Sequence, residues 1–570
     1  MATKPVKHDW VEIKKKYKIH STQKSQQMMR IYKTPKAFEE AVDRNPYFMM
    51  IIYLNKNFQA ADEIILRFYA KLKVSLERCV WVCWMFLKKH ESEGHTVMSA
   101  SALARLVYNK YPELMVYVVD AVKNLMFYYD EKEKTVALYE TWRNELTIAK
   151  DIQKRVKHPV NSEMDWENYK VIDDMELTEE QLNLLRTINE QSIVMLNGPA
   201  GTGKTATTKA LIKMLDDNGY SYTLLAPTGI AAKRLRQSTG KDAKTIHMHL
   251  ARRESIGDFL IIDECSMISV NLLGLLFRNS LEEHTKIVMI CDEAQLASIS
   301  CGNIVQDIID SNIMPIINLT KVFRYGIGGI ATVATDIRTG KPLRNDMSFD
   351  DYEFVPISED PLTDVLTVYD NARQHYKPDD IMILSPFNVR AVGTYSINSA
   401  IQKKYNPNPK MFSYKRQGEE IEFRIGDRVV NTENNYHMCG EDEDIPVMNG
   451  DIGTILNFDG VNTTVQFDTG KAYLEKGDMY KMLLANAISV HKSQGNQAKC
   501  VIVVIDRSHG FFLNRNIEYV AVSRAQEKLI IVGSLYTINE ALKIQQEKNR
   551  QTNLGAMLLT SDLENTTFRF

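Results

Sequence analysis

The segment from Gly198 to Thr205 constrains the fold of this chain more than any other. It reads GPAGTGKT and matches the pattern G-x-x-x-x-G-K-[ST] in full. An apolar run precedes it at residues 193–196, and a segment that favours helix follows it at residues 206–215. A strand, a glycine-rich turn and a helix in this order form a phosphate-binding loop, because backbone N–H groups and the helix N-terminus then face one phosphate. The pattern predicts nucleotide binding by Gly198, Pro199, Ala200, Gly201, Thr202, Gly203, Lys204 and Thr205.

Polar side chains at the ends of later apolar runs add the chemistry that such a loop needs. We expect Lys204 to reach the β- and γ-phosphates, and Thr205 and Asp263 to hold Mg²⁺. Glu264 follows Asp263 directly and is a candidate to orient or deprotonate an attacking water. Gln295 follows another apolar run and is a candidate sensor of the γ-phosphate, although a purely structural role is the alternative.

The alternation of short apolar runs with helix-like segments predicts the fold class from about residue 171 onward. Alternation of this kind is typical of an open parallel sheet, in which ligands bind at the carboxyl ends of the strands. We therefore expect an α/β protein. The strand-like runs are Ile193–Leu196, Thr223–Ala226, Phe259–Ile262 and Ile287–Ile290.

Composition limits the kinds of partner. The net charge is −2, which gives no global sign of a polyanion partner, so any nucleic-acid surface must be local. The seven cysteines show no zinc-binding spacing, which favours reduced thiols and an intracellular protein. No signal peptide is visible, and the longest apolar run, residues 79–87, is too short to span a bilayer. We expect a cytoplasmic protein, bacterial or from a phage-infected cell, with no membrane contact.

Residues 1–170 are predicted to form a helical N-terminal domain. Within it, residues 95–140 show the outline helix, helix, hairpin, which is typical of a winged helix. Ser99 is a candidate cap for the first of these helices, residues 113–125 are predicted to form the second, and residues 127–138 the hairpin. A nucleic-acid-binding module and a packing module without a ligand both fit this outline.

The order of the motifs resembles that of the superfamily 1B DNA helicases of the RecD/Dda type, over residues 175–555. Residues 263–267, DECSM, are close to the family's D-E-x-S-M, and residues 487–495, AISVHKSQG, are close to T-V-H-K-S-Q-G. Residues 519–525, YVAVSRA, match the last motif. The segment 291–299 resembles G-D-x-x-Q-L-P-S-V, with Cys291 in place of the glycine and Ala297 in place of the proline.

The resemblance implies roles for residues outside the phosphate-binding loop. Gln181 resembles the family's adenine-reading residue, and Gly495 falls in a motif assigned to the nucleotide site. Arg324 and Arg524 resemble arginine fingers, so that they join Lys204, Glu264 and Gln295 as the catalytic set. Contacts with a single strand are implied for Pro227, Thr228, His247, Ser385, Pro386, Ser489, His491 and Lys492.

The resemblance also implies the domain plan. A first RecA-like parallel-sheet domain is expected at 171–316, and a second at 317–418 and 479–555. An SH3-like β insertion is expected at 419–478 and a C-terminal tail at 556–570. Relatives carry a β-hairpin pin between the motifs of His247 and Asp263, but here only 15 residues intervene. We expect the pin to be short or absent, so that strand separation relies on another element, such as the N-terminal domain, or is weak.

The implied function is an ATP-dependent DNA helicase that moves 5′ to 3′ on single strands, with ATP and Mg²⁺ as cofactors. Single-stranded DNA and duplex junctions are the implied substrates, and replication, repair or recombination proteins are implied partners of the N-terminal domain of a monomer. An RNA helicase of the same superfamily is one alternative. An ATP-switched nucleic-acid-binding module without processive motion is another. A small-molecule kinase fits less well, because it has no use for the motifs at 487–495 and 519–525.

Overall fold

The computed structural model describes residues 9–323, 328–344, 346–441, 443–510, 512–545, 549–561 and 563. The chain forms two compact units. The first contains the described residues up to Arg143, together with Ser300–Gly302 and Gln551–Asn553. The second contains the remainder, with both parallel sheets and the barrel-like insertion. Helix Tyr139–Lys157 begins in the first unit and continues into the second.

The first unit is mainly helical. Its apolar core includes Phe38, Tyr47, Ile64 and Trp81, all of which are buried. Side-chain caps begin several of its helices; for example, the Asn57 side chain accepts the N–H of Ala60. The helical segments are Trp10–Lys16, Thr22–Tyr32, Pro35–Arg44, Pro46–Phe48, Met49–Tyr53, Phe58–Phe68, Ala70–Val74, Leu76–Ser92, Ala100–Lys110, Pro112–Tyr117 and Val118–Ala121.

The region predicted as a winged helix contains a three-stranded antiparallel sheet in the order Val97–Ser99, Thr135–Leu138, Phe127–Asp130. The Ser99 side chain caps the helix that follows it, as predicted. The continuous second helix predicted at residues 113–125 is wrong. A 3₁₀ turn at Pro112–Tyr117 leads into the short helix Val118–Ala121, and the chain then turns into the hairpin.

The first parallel sheet of the second unit carries the phosphate-binding loop. All of its pairings are parallel, and its central strands are buried along their whole length. Its strands lie in the spatial order Ile316–Asn318, Ile193–Asn197, Lys286–Cys291, Phe259–Ile262, Tyr222–Ala226 and Ala243–Thr245. The helices of this part of the chain are Glu179–Glu190, Lys204–Asp217, Gly229–Thr239, Ile246–Arg252, Val270–Ser280 and Ile304–Ser311.

The second parallel sheet has the same architecture. Its strands lie in the order Tyr352–Pro356, Ala525–Gly533, Ala498–Ile505, Ile381–Ser385 and Ala487–Ser489, and all pairings are parallel. Chain segments that are distant in sequence therefore meet in one sheet. The helices here are Gly329–Thr339, Pro361–Ala372, Thr394–Tyr405, Arg515–Val522 and Leu535–Ala541. Helix Leu554–Leu559 follows them in the chain but packs against Ile304–Ser311 of the first sheet's part.

An antiparallel five-stranded sheet is inserted between strands of the second parallel sheet. Its strands lie in the order Gly470–Leu474, Thr463–Phe467, Ile452–Phe458, Arg428–Asn431 and Met482–Leu484. Two hairpins flank it, Phe412–Arg416 with Glu419–Phe423 and Asn435–Met438 with Ile445–Val447. The predicted α/β class, with two parallel sheets, a helical N-terminal region and an SH3-like insertion, is confirmed. The exact domain boundaries stay predictions.

The segment between His247 and Asp263 contains no hairpin. Helix Ile246–Arg252 occupies its first part, Arg253 adopts a left-handed conformation, and strand Phe259–Ile262 begins after a short link. All residues of this segment are described. The prediction of a short or absent pin is therefore confirmed. Within the described residues, no helix combines the length and the apolar character needed to cross a membrane.

Candidate nucleotide site and nucleic-acid interface

The phosphate-binding loop depends on two glycines with positive φ. Strand Ile193–Asn197 ends directly before the loop, and helix Lys204–Asp217 begins within it. Gly201 has φ of +85° and Gly203 φ of +83°, a region that other residues adopt only with strain. A Cβ on Gly203 would also lie 2.2 Å from the side-chain nitrogen of Gln181. Conformation and close approach together require glycine at this position.

Gln181 supports the loop from helix Glu179–Glu190. It forms a capping box with Thr178, whose hydroxyl accepts the Gln181 N–H while the Gln181 side-chain oxygen accepts the Thr178 N–H. The Gln181 amide nitrogen donates to the carbonyl of Thr202 at 3.2 Å. The side chain is buried, yet it lines the same cavity as the loop. Its predicted contact with adenine stays a prediction.

The cavity beside the loop has a volume of about 670 Å³, which is within the usual size of a ligand site. The Lys204 ammonium donates to the carbonyls of Gly198 and Pro199 at 2.5 and 3.0 Å, so it lies folded over the loop. The predicted residues that line the cavity are Gln181, Ala200, Gly201, Gly203, Lys204, Thr205, Asp263, Glu264, Gln295 and Arg524.

The acidic pair follows strand Phe259–Ile262, whose carboxyl end faces the loop. Burial, with the neighbouring Glu264 carboxylate, raises the pKa of Asp263 to about 6. Glu264 has φ of +54°, an uncommon conformation for a residue other than glycine. The hydroxyl of Thr205 and the carboxylate of Asp263 line one cavity, and hard oxygen ligands of this kind fit Mg²⁺.

The second parallel sheet contributes Arg524 to the cavity of the first. The Arg524 side chain is almost fully buried, and it donates to the carbonyl of Val520 at 2.9 Å and to the hydroxyl of Ser523 at 3.1 Å. These bonds fix the direction of the guanidinium. Arg324, the other predicted finger, lies outside the described residues, so its role stays a prediction.

Tyr519 joins the two sheets, a contact that the sequence analysis missed. Its hydroxyl donates to the Asp292 carboxylate at 2.9 Å and accepts the N–H of Ala200 at 3.1 Å. Ala200 belongs to the phosphate-binding loop, and Asp292 follows strand Lys286–Cys291 of the first sheet. Both Tyr519 and Asp292 are buried. One hydroxyl therefore links the last motif of the chain to two motifs of the first sheet.

Asn516 makes a second link from the same helix, Arg515–Val522. Its amide nitrogen donates to the carbonyls of Ala294 and Gln295 at 3.1 and 3.2 Å. Gln295 is buried and lines the cavity, so the segment that carries it is held by the second sheet. Asn516 lies just before the motif at residues 519–525, and the family resemblance assigns it no role. The sequence contained no signal for this contact.

Several residues that were not predicted as site residues also line the cavity, among them Phe323, Arg234 and Gln497. Phe323 is 47% exposed, and its N–H donates to the carbonyl of Gly201 at 2.8 Å, which places an aromatic ring beside the loop. Arg234 contributes from the helix Gly229–Thr239 of the first sheet, and Gln497 from the segment before strand Ala498–Ile505 of the second sheet. The aromatic residue Phe323 directly before Arg324 was a signal in the sequence, since aromatic side chains often stack on bases.

Gly495 is not among the residues that line the cavity, and its predicted place in the nucleotide site stays a prediction. It has φ of +81°, and a Cβ there would lie 2.8 Å from the Ile230 side chain. Gly495 is needed because helix Gly229–Thr239 packs against it. Pro199 lines a second, smaller cavity with Ala200 and Tyr519. The Thr202 hydroxyl donates to the Pro199 carbonyl and so stabilises the loop from within.

The predicted strand contacts differ in their exposure. On the first sheet, His247 is exposed, and Pro227 and Thr228 are half-buried, with the Thr228 hydroxyl accepting the N–H of Ala231. On the second sheet, His491 is exposed, and Pro386, Ser489 and Lys492 are half-buried. Ser385 is corrected: it is fully buried, and its hydroxyl donates to the carbonyl of Val392 at 2.8 Å. Ser385 therefore shapes its loop, and its side chain does not reach the surface.

Two titratable groups on the second sheet have lowered pKa values. Although His491 is exposed at the surface, surrounding protein atoms reduce solvation of its charged form and lower its pKa. Burial lowers the pKa of Lys492 to about 8, and the positive charge of Arg416 adds to the effect. Both groups lose a proton more easily than in water.

Two parallel sheets that line one nucleotide cavity, one with a phosphate-binding loop and one with a buried arginine, define a class of protein. They are typical of P-loop ATPases with two RecA-like domains, in which nucleotide binds between the domains. The SH3-like insertion in the second sheet distinguishes this protein from P-loop ATPases of this class that lack such an insertion.

Three protein-family models match the chain. Residues 176–357 match an AAA domain, residues 397–468 the ATP-dependent RecD-like DNA helicase SH3 domain, and residues 484–532 a UvrD-like helicase C-terminal domain. The matches fall on the first sheet, the insertion and the second sheet, in that order. The three matches make the chain similar to RecD-like helicases, the family that its motifs resemble.

Curated relatives agree with this assignment. The chain is 28% identical over 394 residues to the ATP-dependent RecD2 DNA helicase of Deinococcus radiodurans, covering 67% of this chain and 52% of that protein. It is 24% identical over 428 residues to the RecBCD enzyme subunit RecD of Mycolicibacterium smegmatis, covering 67% and 75%. The chain thus spans about half the length of the Deinococcus relative.

Among solved structures, a Pif1 helicase from Candida albicans aligns with 64% of this chain and 97% of that chain. The identity is 17% and the TM-score 0.39.

Proposed function

We propose that the chain is an ATP-dependent DNA helicase or translocase that moves 5′ to 3′ on single-stranded DNA. The observation that carries the proposal is the cavity that Lys204 lines from the first sheet and Arg524 from the second. A nucleotide bound there contacts both sheets, so its hydrolysis changes the contacts between them. A small-molecule kinase has no need of this arrangement.

The chain's own side chains divide the work of hydrolysis. Lys204 neutralises charge on the phosphates, and Arg524 stabilises the charge that develops on the transferred phosphoryl group. Glu264 orients a water and accepts its proton, and Gln295 lies beside the same phosphate. Thr205 and Asp263 would hold Mg²⁺, which supplies further charge neutralisation at the phosphates.

Tyr519 and Asn516 couple this chemistry to movement. The Tyr519 hydroxyl holds the Ala200 N–H and the Asp292 carboxylate together, and Asn516 holds the segment of Gln295. Phosphate in the cavity competes for the N–H groups of the loop, so each round of binding and hydrolysis alters the link between the sheets.

The two sheets carry separate contacts for a single strand. Pro227, Thr228 and His247 belong to the first sheet, and the second sheet supplies Pro386, Ser489, His491 and Lys492. Relative movement of the sheets then shifts one group along the strand while the other holds it. Because single strands are bound through phosphates and base stacking, a chain with a net charge of −2 binds them through one groove.

We further propose duplex junctions as the site of action, and proteins of replication, repair or recombination as partners of the N-terminal unit. The relatives' names support a DNA substrate over RNA. The direction of movement follows from the family.

A second candidate function is an ATP-switched module that grips nucleic acid without unwinding it. The observation that favours it is the segment between His247 and Asp263, where a helix and a short link stand in place of a pin. This module would hydrolyse ATP when bound to DNA but would not separate strands.

Strand displacement tests both proposals. Partial duplexes with either a 5′ or a 3′ single-stranded DNA tail are mixed with the protein, ATP and Mg²⁺. Displacement from the 5′ tail alone is expected. Displacement from the 3′ tail would contradict the polarity, while DNA-stimulated hydrolysis without displacement from either tail would favour the switched module.

An RNA-tailed duplex and the Lys204→Ala variant complete the experiment. Equal displacement from an RNA tail would contradict the preference for DNA. Displacement that persists in Lys204→Ala would mean that the activity does not come from this cavity.

A further inference from the structure

The smaller cavity beside the phosphate-binding loop has a volume of about 100 Å³. A water molecule occupies ~30 Å³ in the liquid, so a cavity of this size also has room for a small anion. Pro199 and Ala200 contribute from the loop, and helix Gly329–Thr339 of the second sheet's part contributes four residues. The lining residues are Pro199, Ala200, Thr320, Val322, Ala331, Ala334, Thr335, Arg338, Tyr519 and Ser523.

A thin wall separates the smaller cavity from the nucleotide cavity. Among the described residues, Ala200 alone lines both. Val322 lines the smaller cavity, whereas its chain neighbour Phe323 lines the nucleotide cavity. Ser523 and Arg524 are divided between the two cavities in the same way. The two cavities are therefore distinct, and the wall between them is about one residue thick.

The part of the nucleotide cavity that would hold the terminal phosphate borders this wall. The Lys204 ammonium lies over the carbonyls of Gly198 and Pro199, at the start of the loop. In phosphate-binding loops this lysine binds the β- and γ-phosphates. Pro199 lines the smaller cavity, and Arg524, the candidate finger for the transferred phosphoryl group, follows Ser523 of the wall. Phosphate freed by hydrolysis would therefore start its exit beside the smaller cavity.

One face of helix Gly329–Thr339 suits an anion. Ala331, Thr335 and Arg338 are three or four residues apart, so they share this face, and Ala334 lies on it between them. The alanines leave room, whereas Thr335 and Arg338 add a hydroxyl and a guanidinium. Within the described residues, the Thr335 hydroxyl has no hydrogen-bond partner. Thr335 is exposed, so the cavity opens to solvent at this residue.

Arg338 is half-buried and has donors to spare. One of its nitrogens donates to the Glu293 carboxylate at 3.2 Å. A guanidinium has five N–H donors, and within the described residues this is the one hydrogen bond that the Arg338 side chain makes. Glu293 follows strand Lys286–Cys291 of the first sheet and also accepts from the Asn197 amide at 3.3 Å. An anion in the cavity therefore competes with Glu293 for the guanidinium.

Two other hydroxyls of the lining are already engaged. The Thr320 hydroxyl donates to the Glu180 carboxylate at 2.5 Å, and the Tyr519 hydroxyl donates to the Asp292 carboxylate at 2.9 Å. Each has one proton, which is used in these bonds. Neither is therefore assigned to an anion in the cavity.

We propose that the smaller cavity binds inorganic phosphate, the product of ATP hydrolysis, through Arg338 and Thr335 on its way out. The proposal rests on the proposed function, since the phosphate comes from hydrolysis in the neighbouring cavity. Arginine suits the task because its planar fork binds phosphate through two N–H groups. Arg338 releases Glu293 when it takes the phosphate, so one contact between the two sheets is lost until the phosphate leaves. Product release is thereby coupled to movement of the sheets.

Product inhibition by inorganic phosphate tests the proposal in the full chain. Steady-state ATP hydrolysis with single-stranded oligo-dT is measured against phosphate concentration, at low and at saturating ATP, with sodium chloride holding the ionic strength constant. Phosphate should still inhibit at saturating ATP, because ATP does not fill the smaller cavity. Inhibition that disappears at saturating ATP would place the phosphate in the nucleotide cavity and overturn the proposal. Absence of inhibition at either ATP concentration would overturn it too.

Variants of the two donors should weaken this inhibition. Arg338→Ala should raise the inhibition constant of phosphate about tenfold, as expected for loss of one charge-assisted contact. Thr335→Val keeps the shape but removes the hydroxyl, and it should raise the constant about threefold. Arg344→Ala is the matched control, because the Arg344 side chain is 74% exposed and is not among the lining residues. It should change the constant by less than about twofold.

Glu293→Gln should act in the opposite direction. The neutral amide holds Arg338 less strongly, so phosphate gains the guanidinium more easily and the inhibition constant should fall about threefold. A purely structural role for the ion pair predicts the same direction for Arg338→Ala and Glu293→Gln, because both changes break the same bond. A shift in the same direction in both variants would therefore overturn the proposal.

Folding and the proposed function are checked separately. The midpoint of thermal unfolding reports whether each variant folds, and Arg338→Lys, which keeps a charge but lacks the fork, should restore part of the inhibition. If the unaltered chain hydrolyses no ATP with or without DNA, the proposed function and this inference both fail. If it hydrolyses ATP but phosphate inhibits Arg338→Ala and the unaltered chain equally, only the inference fails.

Discussion

The nucleotide cavity and the face around Lys492 use positive charge in opposite ways. In the cavity, Lys204 and Arg234 lie close enough to Asp263 to lower its pKa, although burial and Glu264 raise it more. Charges of both signs therefore balance within the protein. Around Lys492, the neighbouring Arg416 has the same sign, and no described carboxylate balances the pair. We therefore expect the first site to act in chemistry and the second to bind a polyanion.

This difference predicts two kinds of variant. Changes in the cavity should lower turnover with little effect on strand binding, because its charges act on the phosphates of ATP. Changes around Lys492 should alter affinity in a manner that depends on salt and pH, because their partner is an extended polyanion. A variant that alters both properties equally would break the comparison.

Lys204→Ala should have the largest effect. Loss of the ammonium removes the cation that neutralises the phosphates, so ATP hydrolysis should be abolished, a loss of more than about a thousandfold. Affinity for single-stranded DNA should stay within about twofold. The matched control is Lys213→Ala on the same helix, since the Lys213 side chain is 56% exposed and forms an ion pair with Asp217 at 3.5 Å. Turnover like that of the unaltered chain would mean that the loop is not the site of hydrolysis.

Arg524→Ala should lower kcat by about a thousandfold, the lower end of the range for arginine fingers. The Michaelis constant should change far less, because the guanidinium acts on charge that develops in the transition state. The control is Arg507→Ala, because Arg507 is an exposed arginine that precedes helix Arg515–Val522. An equal loss of nucleotide affinity and turnover would contradict the transition-state role. Thermal unfolding must be measured as well, because the Arg524 side chain is buried.

Tyr519→Phe tests the link between the sheets. The ring is kept, but the buried Asp292 carboxylate and the Ala200 N–H both lose a partner. We expect a loss of about 1–3 kcal/mol in the free energy of unfolding, measured with denaturant. Turnover should fall about tenfold, which corresponds to about 1.4 kcal/mol in the barrier. Unchanged stability would mean that the hydroxyl makes no net contribution in the folded protein.

The nucleotide site was largely predictable because its requirements are local. A phosphate-binding loop needs glycine at fixed positions, and Gly201 and Gly203 adopt the positive φ that only glycine takes without strain. Buried parallel strands are continuous apolar runs, so Ile193–Asn197 and Phe259–Ile262 could be read directly from the sequence. Ligands of such sheets bind at the carboxyl ends of the strands, so acidic residues at these ends are expected in the site.

The remaining parts depend on contacts between distant segments. Tyr519 meets Ala200 across 319 positions of the chain, and no local pattern encodes that pairing. Ser385 was assigned a contact with the single strand by the resemblance of its motif, but the side chain is buried and its hydroxyl donates to the carbonyl of Val392. The second helix of the winged-helix region is shorter than predicted because a 3₁₀ turn at Pro112–Tyr117 replaces its first part. Tertiary packing decides each of these cases.

The dependence of strand binding on pH should give the smallest effect and the sharpest test of the second site. The pKa of Lys492 is lowered to about 8 by burial and by Arg416. Phosphate binds the protonated ammonium, so binding raises this pKa. The affinity for the strand should therefore have its full value below about pH 8, where the ammonium is protonated. It should fall as the pH rises above about 8, by up to about tenfold at pH 9. The measurement is the affinity for oligo-dT between pH 6.5 and about 9 at constant ionic strength. This range covers the titration of an ammonium group whose pKa is lowered to about 8.

Lys492→Arg isolates the contribution of this residue. Arginine stays charged throughout that pH range, so the variant should bind with an affinity that barely changes with pH. Arg416→Ala should move the fall in affinity to higher pH, because one of the two influences that lower the Lys492 pKa is removed. If the unaltered chain and Lys492→Arg have the same pH profile, another group titrates at the interface. The contrast drawn between the face around Lys492 and the nucleotide cavity would then be wrong.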